Sequence, residues 1–147
     1  MPTALIPSAE QLTILDLVGN DTDGIWDTCV IALFKNDFTP DADTVHADFT
    51  AADFSGYAAV PSMAFNPAYL DYDDGPSLVA SLVAQFTSAE ASPFVPNTVY
   101  GFWAHKLFGI TTRMLFAVRF ASPITVDQPG RIISVLPQVP FTAVITS

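Results

Sequence analysis

The alternation of hydrophobic and polar residues predicts three successive β-strands between residues 98 and 139. Each predicted strand is rich in aromatic and β-branched residues, which favour extended structure. The three segments are 99–105, 113–120 and 131–136. Residues that favour turns bound these segments: Asn97, Gly109, Pro123, Pro129 and Gly130.

The second of these segments has apolar residues on both sides of the predicted strand. Met114, Phe116 and Val118 alternate with Leu115 and Ala117, and arginines stand at both ends of the second set. Successive side chains in a strand point to opposite faces of the sheet. The pattern therefore predicts a core sheet whose second face is partly covered by a partner or by a loop.

Further strands are predicted along the rest of the chain, at 25–34, 58–60, 78–86 and 141–146. Pro61 is expected to end the strand at 58–60, because proline lacks the N–H that a sheet requires. A helix capped by Ser77 is the alternative for 78–86, since its apolar residues also fit helical spacing.

Helical structure is predicted in two short stretches. Ser8 and Gln11 have the spacing of a capping box, which predicts a helix over about residues 8–18, with a strand at 13–18 as the alternative. Residues 44–54 suit one or two helical turns with Thr44 or Thr50 as caps. The expected fold is mainly β, a single domain over 1–147, built as an antiparallel β-sandwich or small barrel with a short N-terminal helix.

The composition favours a subunit of an assembly. Hydrophobic residues make up 50% of the chain and charged residues 14%, with a mean hydropathy of +0.39. That is little charge with which to cover the surface of a monomer. The apolar run at 29–34 is far shorter than the ~18 residues of a membrane-spanning helix. No basic stretch precedes an apolar one near residue 1, so we expect no signal peptide.

The net charge of −10 is unevenly distributed. Residues 1–90 carry Lys35 against fourteen acids, which gives −13, and residues 91–147 carry four bases against Asp127, which gives +3. One explanation is an acidic, solvated surface formed by loops. The other is an acidic face and a basic face that meet between neighbouring subunits. Nucleic acid is a disfavoured partner, because phosphate contacts need clustered bases.

No catalytic residue, cofactor-binding residue or metal ligand is predicted. Cys29 begins an apolar run and is expected to be a small buried hydrophobe in a protein that folds under reducing conditions. His46 and His105 are the only histidines, and no motif pairs either one with a nucleophile, so we expect no enzyme. No phosphate-binding glycine loop or zinc-ligand spacing occurs.

Two acidic segments are interpreted as ordinary turns. A calcium loop beginning at Asp21 would place Ala32 at its last ligand position, and one beginning at Asp71 would place Leu82 there. Neither residue can ligate calcium, because that position requires a bidentate carboxylate. The cluster of Asp71, Asp73 and Asp74 is therefore expected to be a solvated turn.

Several aromatic residues could stack on a sugar, but such residues are more often found in cores and interfaces. They are Tyr57, Phe65, Tyr69, Tyr72, Tyr100, Phe102 and Trp103.

Two stretches, LFKNDFTP at 33–40 and ADFTAADFSGY at 47–57, resemble a pattern found in small proteins of tailed phages. The segments VYGF at 99–102 and LFAVRF at 115–120 resemble the second half of the same family, so that the resemblance covers roughly 25–139. Its motifs are strand ends and turns, and they imply no catalytic or ligand residues. The resemblance implies a virion role, as a capsid decoration (cement) protein or a tail accessory protein.

The expected function is therefore structural. We expect a virion subunit that forms a homo-oligomer on the major capsid or tail protein, with neither nucleic acid nor membrane as a partner and no cofactor. The alternative is a carbohydrate- or receptor-binding module on the virion surface.

Overall fold

The computed structural model describes residues 29–63, 65–66, 77–81 and 83–141, and this part of the chain is mainly β. One turn of 3-10 helix occurs there, at His46–Asp48. The strands in these ranges are β1 (Cys29–Phe34), β2 (Val60–Met63), β3 (Phe65–Asn66), β4 (Ser77–Ser81), β5 (Ala84–Thr87), β6 (Asn97–Phe108), β7 (Thr111–Val126), β8 (Ile132–Val135) and β9 (Gln138–Phe141).

The strands form antiparallel sheets around a long central hairpin. One sheet has the order β2-β1-β6-β7, a second has the order β3-β4-β9, and β5 pairs with β8. In the first sheet, β6 pairs with β1 from Val30 opposite His105 to Phe34 opposite Gly101. On its other side β6 forms the hairpin with β7. The segment predicted to dominate the fold therefore supplies the two longest strands that the structure describes.

A two-residue turn closes the β6–β7 hairpin, between Phe108 and Thr111. Gly109 has a φ of +61°, a conformation that two-residue hairpin turns require and that glycine adopts without strain. The predicted turn at Gly109 is confirmed. The predicted end at Pro123 is wrong, because β7 continues to Val126. The pairing with β6 is irregular opposite Tyr100, and proline is tolerated where the ladder is interrupted.

A bulge at Leu115 changes which face several β7 side chains occupy. Ala104 pairs with Phe116 but His105 pairs with Met114, so Leu115 has no residue opposite it. As a result Leu115, Phe116 and Val118 lie in one core cluster, whereas Met114 and Ala117 lie in the other. The predicted alternation, which placed Met114 on the same face as Phe116, is wrong. The inserted residue shifts the alternation of side chains by one, so that residues before and after the bulge no longer share the predicted faces.

The larger core cluster lies between the four-stranded sheet and the β5–β8 ribbon. Ile31, Leu33, Phe102 and Phe116 contribute from the sheet. The ribbon contributes Ala84, Phe86, Ile133 and Val135. Cys29 is fully buried in this cluster, which confirms its interpretation as a small buried hydrophobe.

The second face of the sheet is covered by part of residues 35–59, a segment that we call the covering loop; Ala52 and Phe54 of this loop are buried in the larger cluster instead. Phe34, Trp103 and Met114 are buried on this face, and Phe38 and Phe49 from the loop pack against them. Of the two covers expected for this face, a loop is the one observed.

Three local predictions need correction. Segment 78–86 is neither one strand nor a helix, because β4 pairs with β9 and β5 pairs with β8. Strand β2 runs through Pro61 to Met63 instead of ending there. The 3-10 turn begins after Val45 instead of at Thr44. The hydroxyl of Thr44 is hydrogen-bonded to Asp41 instead, and residues 51–54 after Thr50 are not helical.

Other predictions fall wholly or partly outside the described residues. These are the N-terminal helix at 8–18, the turns at 21–24 and 71–74, and residues 25–28 and 142–146 of two predicted strands. Phe141 is described, as the last residue of β9.

The close contact of β6 with its neighbours predicts that Gly101→Ala destabilises the protein. A Cβ at this position would overlap the carbonyl oxygen of Val118 and the ring of Phe34. Overpacking of this kind costs about 1–3 kcal/mol. Urea unfolding should show this loss, while Ser122→Thr, which adds a methyl group at an exposed site on β7, should change stability by less than about 0.5 kcal/mol. Equal stability of the two variants would contradict the packing described for Gly101.

Candidate functional site

An aromatic cluster holds the covering loop on the sheet. Phe49 stacks on Trp103 with ring centroids 4.8 Å apart and planes inclined by 7°. Phe38 and Phe49 meet edge to face at 5.1 Å, and both lie against Phe34 at 5.4 and 5.3 Å. Pairs with such offset or edge-to-face geometry contribute about 0.5–1.5 kcal/mol beyond their buried area. The loop is therefore packed as part of the core.

Hydrogen bonds within the loop fix its shape. The side-chain amide of Asn36 donates to the Asp48 carbonyl oxygen at 2.9 Å and accepts from the Thr50 amide at 2.8 Å. The carboxylate of Asp48 accepts from the Val45 amide at 2.8 Å and so closes the 3-10 turn. Asn36 thus spans the neck of the loop, while Asp48 orders its tip.

Further bonds attach the loop to β1. The amide of Lys35, just after β1, donates to the Thr50 carbonyl within the loop, and the amide of Ala52 donates to the Leu33 carbonyl of β1. The amide of Leu33 donates to the Tyr57 hydroxyl at 3.0 Å. Burial raises the pKa of Tyr57, and this hydrogen bond opposes the rise. The end of β1 beyond its pairing with β2 therefore has its backbone groups satisfied by the loop.

One ion pair ties the covering loop to β7, and a second joins two residues within the loop. Arg119 of β7 donates to the Asp37 carboxylate and to the Phe38 carbonyl, both at 2.5 Å, and lies over the ring of Tyr100. Lys35 contacts Asp53 at 2.6 Å. Hydrogen bonds from Lys35 and then from Asn97 hold the pKa of Asp53 below its usual value. Arg119, which appeared only as a charged strand end in the sequence, therefore joins β7 to the loop.

The structure brings the two histidines together. The ring centroids of His46 and His105 are 4.6 Å apart, and the His105 ring stacks on Trp103 at 5.7 Å. The indole N–H of Trp103 donates to Nδ1 of His46 at 3.1 Å. Trp103 and His46 are 57 positions apart in the chain, and no local sequence pattern indicated their contact.

The environment keeps both histidines neutral. Burial, and secondarily the nearby His46, lowers the pKa of His105 from 6.5 to about 4. Burial also lowers the pKa of His46. Because Nδ1 of His46 accepts a hydrogen bond, the proton of the neutral ring is on Nε2. That nitrogen then has no lone pair for a metal, and the pair is best described as part of the packing.

No nucleophile of the described chain stands beside these histidines in the way a catalytic triad needs. Cys29 lies in the larger core cluster, on the opposite face of the sheet from Trp103 and the histidines. Within the described ranges, no three side chains of His, Cys, Asp or Glu come together as a metal site would require. The arrangement attaches the loop to the sheet.

The aromatic residues considered for sugar stacking are packed inside the protein where the structure describes them. Phe102 and Trp103 are buried, and Tyr57 and Tyr100 are half-buried against the two clusters. Their interpretation as core residues is confirmed. The side chain of Phe65, together with Tyr69 and Tyr72, lies outside the described part.

Comparisons of this chain with protein-family models, with curated proteins and with solved structures found no match. In the part of the chain that the structure describes, no helix has the length and apolar character needed to cross a membrane.

The lowered pKa of His105 predicts a stability loss in mild acid. The folded state holds this ring neutral, so its contribution is complete above pH 6.5 and falls as the pH drops towards about 4. The free energy of unfolding falls by at most about 1.4 kcal/mol per pH unit, and by less for a half-buried ring. Urea unfolding between these pH values should show a shallower loss for His105→Gln than for the parent. If the stability of the parent and of His105→Gln fell in parallel with pH, the lowered pKa of His105 would be contradicted.

The contact between Trp103 and His46 predicts that the acceptor at residue 46 matters more than the ring. His46→Ala leaves the buried indole N–H without a partner, which costs about 1–3 kcal/mol. His46→Asn is the matched control, because its amide oxygen can accept the same bond without titrating near neutral pH. We expect urea unfolding to place the asparagine variant nearer the parent. Equal losses in both variants would contradict a role for this hydrogen bond.

Proposed function

We propose that the chain is a structural subunit of a tailed-phage virion that decorates or cements the capsid or serves as a tail accessory protein. In this proposal it acts as a homo-oligomer bound to the major capsid or tail protein and catalyses no reaction. The resemblance of residues 25–139 to small tailed-phage proteins supports a virion role. The composition, with 50% hydrophobic and 14% charged residues, supports burial of surface in an assembly.

The observation that carries the proposal is the exposure of large apolar side chains at the tip of the central hairpin. Ile110 is fully exposed and Leu107 is 61% exposed, on either side of Gly109. Single exposed apolar residues are common, but neighbouring ones that form a patch are typical of contact surfaces. Such a tip suits docking on another protein surface.

For the fold, we propose a β-sandwich in preference to a barrel. The support is the way in which the β5–β8 ribbon shares one core cluster with a face of the four-stranded sheet. Inward residues alternate with exposed ones along β5 and β8, as they do in packed sheets.

The alternative, a carbohydrate- or receptor-binding module, is less well supported. A sugar-binding surface needs exposed aromatic residues, whereas the aromatic residues considered for sugar stacking pack against the core wherever the structure describes their side chains. A glycan array addresses this alternative directly, since a specific hit would favour it.

The proposed function predicts that the protein is a regular component of virus particles. Quantitative mass spectrometry of purified virions should find the chain in a fixed ratio to the major capsid or tail protein. Purified chain should also bind particles that lack it. Synthesis of the chain in infected cells, together with its absence from purified particles and a failure to bind them, would contradict the proposal.

A further inference from the structure

Strand β8 has an open edge in the part of the chain that the structure describes. It pairs with β5 along one side over its whole length. On its other side, none of the described strands pairs with it. Ile133 and Val135 are buried in the larger core cluster, whereas Ile132, Ser134 and Leu136 are exposed. The outer side of β8 therefore presents backbone groups without a described strand beside them.

The hydrogen bonds of the ribbon show which backbone groups point outward. The amide of Ser88 donates to the carbonyl of Arg131, one residue beyond the paired strands, so these two residues form a hydrogen-bonded pair. Such pairs recur at every second residue of an antiparallel ladder, which directs the N–H and C=O groups of Ile133 and Val135 to β5. The alternate residues direct theirs away from β5, and they are Ile132, Ser134 and Leu136.

This edge lacks the features that keep edge strands apart. Proteins commonly discourage pairing at an edge with a charged residue, a proline or a bulge. β7, at the edge of the four-stranded sheet, carries Arg113, Arg119 and Pro123. Residues 132–136 include no charged residue and no proline, and β8 pairs with β5 in one unbroken register. β8 is therefore the edge better suited to pair with another strand.

The exposed segment is complementary to a second copy of itself. In an antiparallel pair about a two-fold axis at Ser134, this residue lies opposite its own copy, and Ile132 lies opposite Leu136 of the second copy. All three residues have outward N–H and C=O groups, so that each pair can exchange two hydrogen bonds. Ile132 and Leu136, 61% and 49% exposed, then meet on the outer face of the sheet, and Ile133 meets Val135 on the core side.

We propose that β8 pairs with β8 of a second copy about a two-fold axis at Ser134, which joins the two β5–β8 ribbons into one continuous sheet. The inference rests on the homo-oligomer of the proposed function and names the strand that forms it. A second copy is favoured over a strand of another protein, because the outward backbone groups and the exposed apolar side chains both match under the two-fold operation.

Charge does not oppose this arrangement. Arg131 is the charged residue next to the exposed segment, and it lies within reach of Asp127, at 3.9 Å. The two copies of Arg131 would lie at opposite ends of the paired segment, about 20 Å apart at ~3.4 Å per residue. That separation exceeds the Debye length of about 8 Å at physiological ionic strength, so their repulsion is largely screened.

Opposite charges placed at Ser134 test the proposal. Ser134→Lys places two lysines opposite each other across the axis, and Ser134→Glu places two carboxylates there. Each variant should dimerise at least about tenfold more weakly than the parent, because like charges are brought together. An equimolar mixture of the two variants should recover association as a heterodimer. The control is Gln85→Lys, since Gln85 is exposed and lies opposite Ser134 within the ribbon, but on β5 and away from the axis.

Two measurements read out the test, after circular dichroism has checked that each variant is folded. Sedimentation velocity over a concentration series should show equal dimerisation of the parent and of Gln85→Lys. Hydrogen exchange measured by NMR identifies the strand, because the outward amides should exchange slowly in the dimer and quickly in the Ser134→Lys monomer. These are the amides of Ile132, Ser134 and Leu136, whereas those of Ile133 and Val135 should stay protected in both.

Four results would overturn the inference. The first is a parent that is monomeric at every concentration. The second is a dimer in which the Ser134 amide exchanges as quickly as in the monomer. The third is equal weakening by Ser134→Lys and Gln85→Lys, without recovery in the mixture. The fourth is protection of the Ser134 amide only when purified capsids or tails are added, which would assign the edge to a strand of another protein. Mass spectrometry of virions decides the proposed function separately, since a virion protein can associate through another surface.

Discussion

The sheet at the centre of this protein has two apolar faces, and the structure depends on covering both of them. β6 lies between β1 and β7, with Phe102 and Ala104 on one side and Trp103 on the other. The β5–β8 ribbon covers the first side. The second side is closed by a loop that adds no strand to the sheet, and Trp103 is its main point of attachment because it contacts both Phe49 and His46.

The same loop links the core to the surface. Its aromatic residues Phe38 and Phe49 point into the protein, whereas Asp41, Asp43 and Asp48 are exposed. Much of the acidic charge of the described chain is therefore held in a fixed position by aromatic packing and by the hydrogen bonds of Asn36. The hairpin that forms the core also ends in the exposed side chains of Leu107 and Ile110.

The features that were predictable from sequence are those set by local pattern. Strands around Phe102, Phe116 and Ile133, the turn at Gly109 and the burial of Cys29 all follow from residues close in the chain. The bulge at Leu115 depends on pairing with a different strand, and it reversed the predicted face of Met114. Pro61 and Pro123 are tolerated inside strands for reasons of pairing that sequence does not carry. The contact of His46 with Trp103 and the bond of Arg119 to Asp37 join distant segments, so no spacing rule could indicate them.

The central claim is that the covering loop is part of the folded core, and hydrogen exchange measured by NMR tests it most directly. The account predicts that the indole N–H of Trp103 and the amide of Ala52 exchange as slowly as the amides of β6, because exposing them requires opening of the core. Exchange of these two groups at the rate of an exposed loop, with β6 still protected, would contradict the account.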